Sequence, residues 1–249
     1  MNPLNHIFII PSNISPNNEV IKMAIVNGNV LGNLSGKLGN LSARTVEGKT
    51  ILAARPSSFN VSYDPAVVEV RQKFAVTAKL AKNISALAAL EAIWKSSKES
   101  GISVFNTIFK KNFQFSDVDK PTVDNIITPG GFALDVQTPV VGANTITADI
   151  SALNTVSVFT PEEVDLTISA LVCFYNPTNP DDPSYQLINL SKDEAGFDFT
   201  TAYSLSMALN VLQQAIAAKY QNSILYLSVA SKNADGKVVQ YSATYSHNS

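Results

Sequence analysis

Histidine is nearly missing from this 249-residue chain: the two present, His6 and His247, sit at its extreme ends. A Ser-His-Asp or Cys-His nucleophile system needs an imidazole held in a packed site, and chain ends fray, so hydrolase triads are excluded as a class. Zinc and mononuclear iron sites draw on imidazole and thiolate ligands, and Cys173 is the single thiol. Neither a metal nor a cofactor is therefore expected. One cysteine also forbids an internal disulfide, which excludes an oxidised secreted scaffold. Within the largely apolar run 168–175, Cys173 reads as a buried small hydrophobe rather than a reactive thiol. Charge is scarce too, at 15% of residues, while the 45% hydrophobic content is ordinary and the 11 Gly and 12 Pro are too few for collagen or wholesale disorder. No apolar stretch approaches the roughly eighteen residues that span a bilayer. Ile7 to Ile10 is too short for a secretory h-region and has no basic n-region before it. The expectation is no secretory signal, no membrane insertion and synthesis in the cytoplasm.

What is present reads as an α+β chain: an N-terminal β-hairpin and helices, followed by an antiparallel, immunoglobulin-like β-sandwich. Residues 1–22, rich in Asn, Pro and Ser ahead of a second candidate start at Met23, read as a poorly ordered leader. Gly28, Gly32, Gly36 and Gly39 punctuate the next stretch, in which Gly-Asn-Leu-Ser occurs at 32–35 and again at 39–42; two short copies are too few for a solenoid. A hairpin is expected from strands 42–46 and 50–54 around Glu47-Gly48, stopped by Pro56. Asp64-Pro65 marks a helix start, with Val67, Val70, Phe74, Thr77, Ala78 and Ala81 on one face. Ser85 is a candidate cap for a second helix carrying Leu87, Leu90, Ile93 and Trp94 and ending at Gly101, and Ser103 to Phe113 repeats the pattern. A loop with Pro121, Pro129 and Gly130-Gly131 suggests a boundary near residue 130, giving a glycine-rich hairpin plus helical region over 23–130 and a sandwich over 131–249. Strands are expected over 132–136, 145–150, 164–175, 185–190, 224–230 and 238–245, the last two turning at Asn233 to Gly236. Leu205, Leu209, Leu212 and Ile216 predict an inserted helix over 204–220.

The net charge of −2 conceals two opposite halves. Residues 22–111 carry thirteen Lys and Arg against five Asp and Glu, whereas residues 112–249 carry five against fourteen. Such polarity can order copies of a chain head to tail. Nucleic acid is a conceivable partner of the basic segment but is not favoured, because few aromatics interleave the cations and no recognition motif is present. Ala43 to Thr50 nearly matches a phosphate-binding loop but lacks the first glycine, and a strand rather than a helix is expected to follow Gly48-Lys49-Thr50. Asp117-Val-Asp119 starts like a calcium loop, yet Pro121, Thr122 and Thr128 occupy positions that need a ligand, the turn glycine and the closing glutamate. Glu162, Glu163, Asp165, Asp181 and Asp182 are the remaining acid–base candidates. They read better as solvated loop carboxylates.

The pattern Gly28-x3-Gly32-x2-Ser35-Gly36-Lys37-x-Gly39-Asn40, the hairpin ending Arg55-Pro56 and the helix with Arg71-Gln-Lys-Phe74 resemble a family of uncharacterised proteins found in Bacteroidota and their phages. The closing segment Ser228 to Tyr245 is similar to that family's last hairpin. Members typically begin near Met23 and look strand-like where 204–220 reads here as a helix. The resemblance implies a hairpin-helix unit joined to a β-sandwich and carries no established activity. It leads to the expectation of a non-enzymatic structural or assembly protein, a component of a tailed-phage virion at the capsid, connector or tail, that self-associates or binds other structural proteins. Gly36, Lys37 and Arg71 are the expected interface residues. The alternative is a sandwich binding module recognising a glycan, a surface protein or nucleic acid.

Overall fold

Short strands open the computed structural model, which describes residues 23–26, 36–46, 49–55, 58 and 61–249. Strands β1 (Met23–Val26), β2 (Gly36–Leu38), β3 (Leu41–Val46) and β4 (Lys49–Ala54) form an antiparallel sheet in the order β1-β4-β3-β2. The expected hairpin is there, with Leu41 opposite Ala54 and Val46 opposite Lys49. Leu38 also pairs with Leu41, so the chain reverses through two residues, and Gly39 supplies the left-handed φ of 56° that this reversal requires. The leader 1–22, Gly28, Gly32, the Glu47-Gly48 turn and Pro56 lie outside the described residues. The chain divides into two units, residues 1–62 and residues 63–249.

The second unit begins with three helices. In α1 (Pro65–Ser85), Asp64 accepts the Ala66 amide at 3.0 Å and Pro65 occupies the first turn, as the sequence predicts. Ser85 is the last residue of α1 rather than a cap; its hydroxyl donates back to the Ala81 carbonyl at 2.9 Å. Helix α2 (Ala88–Ser97) enters through Leu87 and stops before Gly101. Helix α3 (Val104–Asn112) is capped by Ser103, which accepts the Asn106 amide.

Nine further strands and helices follow. These are β5 (Val136–Val141), β6 (Thr145–Ile150), β7 (Glu163–Pro177), β8 (Tyr185–Glu194), β9 (Tyr203–Ala208), α4 (Val211–Ala217), β10 (Tyr220–Asn233), β11 (Val238–Tyr241) and β12 (Tyr245–Asn248). One sheet runs β11-β10-β7-β8 with β12 also on β10; the other is β5-β6-β9, and every strand pairing is antiparallel. Strands β7 and β10 are central and buried on both faces. Leu166, Ile168, Ala170, Val172 and Phe174 of β7 share one core with Ile146, Ala148, Leu205 and Met207 of the small sheet. The alternate residues Leu171 and Cys173 share a second core with Leu80, Ile84, Leu90, Ile93, Trp94 and Ile108 of the helices. The period of two in a strand thus produces three layers: helices, large sheet, small sheet. Cys173 is fully buried, and burial pushes its thiol up to about 12, which keeps it protonated and inert.

Several boundaries differ from the sequence reading. The division after residue 62 places the position expected as a boundary, near residue 130, inside the second unit. Helices and strands share a core there, and the intervening segment is pinned: Asn112 accepts the Ile126 amide at 2.8 Å, and Thr244 Oγ1 accepts the amides of Ile127 and Thr128. The strand expected over 132–136 reduces to an isolated bridge between Phe132 and Ser242, and the strand proper runs 136–141. The helix expected over 204–220 is a strand, a seven-residue helix and the start of β10. Leu205, Met207 and Leu209 are buried while Ser204, Ser206 and Ala208 are exposed, a period of two; the Leu205–Leu209 spacing of four residues fits a strand as well as a helix. Leu212, expected on the apolar face, is 77% exposed. The single strand expected over 238–245 splits into β11 and β12, because Ser242 turns its hydroxyl to accept the Val229 amide and Ala243 donates to the Phe132 carbonyl.

Gly131 is required at this crossing. It has φ of 116°, and a Cβ there would collide with the Tyr241 carbonyl oxygen and the Ser242 backbone. Gly131→Ala should cost about 2–3 kcal/mol, read as a lowered urea midpoint with unchanged m-value.

Candidate functional site

Helix α1 packs through its C-terminal half only. Its buried positions are Val76, Thr77, Leu80, Ala81 and Ile84, and the half before them carries apolar side chains without cover. Val67, Val70 and Phe74, 42%, 57% and 54% exposed, recur at steps of three and four and so form one stripe. The stripe continues onto α3, where Phe74 meets Phe109 at 4.6 Å between ring centroids and Phe105, Phe109 and Phe113 stand in a row along that helix. Lys73 Nζ lies 5.4 Å above the Phe113 ring and donates to the Gln114 carbonyl. An apolar patch rimmed by cations is the form of an interaction surface.

The charge asymmetry becomes spatial in the fold. The helical segment 64–111 carries eight Lys and Arg against four Asp and Glu, and it forms the layer on one face of the large sheet. Residues 112–249, which build both sheets, carry five against fourteen. The ion pairs Lys192–Glu194, Lys219–Asp182 and Lys232–Asp193 all lie within this acidic part.

Of the expected interface residues, Gly36 and Lys37 are exposed neighbours on β2, with Gly36 at φ of 112°. Among the described strands β2 pairs on one side only, with β3. Arg71 is exposed on α1 and its Nε donates to the Val67 carbonyl at 3.3 Å, which lays the guanidinium along the apolar stripe. The first two belong to the first unit and Arg71 to the second.

Among the acidic candidates, Asp117, Asp165 and Asp182 use their carboxylates in local structural contacts. Asp117 accepts the Val118 amide, and the Asp119 carbonyl accepts from Ser184. Asp165 accepts the Gly196 amide, Asp181 sits in a turn where its own amide donates to Asn179, and Asp182 pairs with Lys219 at 2.7 Å. Glu162 is exposed. Among the described residues no group of three or more His, Cys, Asp or Glu is placed to hold a metal ion. Lys49 and Thr50, which end the near-phosphate-loop, lie in β4 with Thr50 buried, so no helix terminus faces outward there.

Glu163 corrects the sequence reading. Rather than a solvated loop carboxylate it is 5% exposed. It accepts the Thr160 amide at 2.8 Å, the Thr160 and Ser231 hydroxyls, and both available contacts from Gln240 Nε2 at 2.9 and 3.1 Å. Gln240 in turn donates to the Val158 carbonyl and accepts from Ser157. Burial pushes the carboxyl up, but these hydrogen bonds outweigh it and hold Glu163 below the usual carboxylate range. Ser231 and Gln240 were invisible to sequence reasoning because their roles arise from β10–β11 pairing. The Thr160-x-x-Glu163 spacing, which matches half of a capping box, was the available signal.

No family model and no curated protein matches the sequence. Among solved structures, a β-glucosidase from Kluyveromyces marxianus in complex with glucose is similar at 8% identity and a TM-score of 0.22 over 57% of this chain and 17% of that one. A selenomethionine-labelled crystal of β-glucosidase from the same organism gives 9% identity and a TM-score of 0.19 over the same shares. The chain therefore spans less than a fifth of the length of either, and scores this low carry no argument about its fold or activity. No helix among the described residues is long and apolar enough to cross a membrane.

Proposed function

We propose that this chain is a non-enzymatic structural or assembly protein that associates with copies of itself through the uncovered face of α1 and α3. The observation that carries this reading is the stripe Val67, Val70 and Phe74, continued by the α3 phenylalanines, on a basic helical layer. A second copy fits because the same molecule presents its acidic sheets elsewhere, so both apolar burial and charge favour contact between copies. Arg71 sits on this face, and Gly36 and Lys37, on a strand that among the described strands pairs on one side only, offer a second point of contact.

On the resemblance of its glycine pattern, Arg71-Gln-Lys-Phe74 and closing hairpin, the assembly is a tailed-phage virion component. The strand at Tyr203–Ala208 supports that resemblance, since the family is strand-like there. We read residues 136–248 as an immunoglobulin- or fibronectin-like sandwich. Its support is the strand order: the first, second and fifth of its eight strands form the small sheet, and the third, fourth, sixth, seventh and eighth form the large one.

Light-scattering mass after size exclusion tests the assembly. The full chain should elute at a multiple of its 26.7 kDa at about 50 mM salt and shift toward the monomer at about 0.5 M. A Val67→Asp, Val70→Asp double variant, both at exposed positions, should be monomeric with unchanged circular dichroism. A wild-type monomer at every salt concentration would sink the reading.

A further inference from the structure

A cleft of about 440 Å³ opens between the β6–β7 connection and the β8–β9 connection. That volume lies in the range of small-ligand sites, about 300–1,000 Å³. Its floor is aromatic. Phe159 stacks on Phe199 with centroids 4.2 Å apart, and Phe197 meets Phe199 edge-on at 5.1 Å. Phe199 is buried, whereas Phe159 and Phe197 are only half-buried and leave ring surface in the cleft.

Both walls are fixed in advance. The Asn154 amide donates to the Phe199 carbonyl at 3.0 Å, joining the two connections to each other. The Phe197 amide donates to the Val164 carbonyl at 2.8 Å, and the Gly196 amide to Asp165. The other wall hangs on the Glu163–Gln240 node, which holds the Val158 carbonyl and the Thr160 side chain. The site is therefore formed without ligand, and binding orders little.

Polar groups on the walls have hydrogen-bonding capacity left. Asp198 receives the Thr200 amide and hydroxyl on Oδ1 alone, leaving Oδ2 without a partner among the described residues. The side-chain amide of Asn154, which is exposed, makes no hydrogen bond among the described residues either. Among the described residues, no Lys, Arg or His lines the cleft. Phosphates and other anions, mononucleotides included, would meet an uncompensated Asp198 carboxylate. The matching ligand is neutral, has a flat apolar face for the rings, and carries several hydroxyls that donate to a carboxylate and to an amide oxygen.

We propose that this cleft binds a neutral pyranose saccharide, its C–H face on Phe159 and Phe197 and its hydroxyls on Asn154 and Asp198. The site is independent of the proposed assembly face and uses none of its residues. It gives a particle built from this chain a means of holding a surface glycan.

Saturation-transfer NMR and calorimetric titration of the full chain with cellotetraose, maltotetraose and chitotetraose test the proposal, with adenosine monophosphate as the aromatic anionic control. At least one tetrasaccharide should bind with Kd of about 1 mM or tighter and receive saturation on its ring C–H protons. Asn154→Ala, at an exposed position, and Asp198→Asn, which keeps the Oδ1 acceptor, should each weaken that binding by about fivefold or more with unchanged thermal unfolding. Absence of binding by all three sugars at about 10 mM overturns the site. So does tighter binding of adenosine monophosphate than of any sugar, or unchanged sugar affinity in both variants.

Discussion

Trp94→Ala will destabilise the second unit by about 3–5 kcal/mol, the range for deleting a fully buried large aromatic side chain. Trp94 is 0% exposed in the core between the helices and the large sheet, beside Ile93 and Ile108. Its Nε1 also donates to the Ile127 carbonyl at 2.8 Å, so truncation leaves both a cavity and an unpaired buried acceptor. The consequence is more than a loss of stability. If the helices and sheets share one core, unfolding followed by far-UV circular dichroism should remain one transition in the variant, at lower urea. In the wild type the fluorescence of Trp94, the single tryptophan, should change together with the strand signal. A Trp94 fluorescence transition separated from the main strand transition would show the helical layer to be an independent domain, and a loss below about 1 kcal/mol would contradict the buried role of Trp94.

Glu163→Ala should cost about 3 kcal/mol, because it removes the acceptor of donors from Thr160, Ser231 and Gln240, of which Ser231 is buried. Glu163→Gln keeps the shape but sets a second amide NH₂ against that of Gln240, and should cost about half as much. The carboxyl is held below its usual range in the fold, so the unfolded chain takes up a proton at higher pH than the folded one. Its contribution is therefore fully present above the unfolded value of about 4.3 and is lost as pH falls through the folded value. Asp193, held down by Thr167 and Lys232, and Glu194, held down by Lys192 and Tyr203, act in the same direction. Urea midpoints measured from neutral pH downward should fall in acid for the wild type, with a shallower slope, by up to one proton, in Glu163→Gln. An unchanged slope, or an alanine variant within about 1 kcal/mol of wild type, would contradict this account of the node.

The same node shows why its role escaped a reading by residue type. Glu162 and Glu163 are adjacent carboxylates with identical chemistry, and which of them faces inward depends on the strand that begins at Glu163 and on Ser231 and Gln240 about seventy residues later. The assembly stripe is a different case. Val67, Val70 and Phe74 stand at helical spacing in the sequence, which reads as a buried face. Only the position of the sheet beneath the C-terminal half of α1 leaves them bare. The cleft could not be read at all, since Phe159 and Phe199 are forty residues apart and meet only because the β6–β7 and β8–β9 connections come together.

By itself the sequence determined the local features. It placed the start of α1, through Asp64 and Pro65, the β3–β4 hairpin, the long buried strand around Cys173 and the opposition of basic and acidic halves. These depend on caps, turns, periodicity and composition, which act between near neighbours or on the whole chain. The tertiary structure decided what depends on distant partners. Tyr203 to Ala208 became a strand because β6 offers the edge not taken by β5 and the shared core selects every second side chain. The segment around residue 130 became part of one unit because Asn112, Tyr241 and Thr244 bind it from both sides. Spacing is a local property of a chain, whereas burial belongs to the assembled layers.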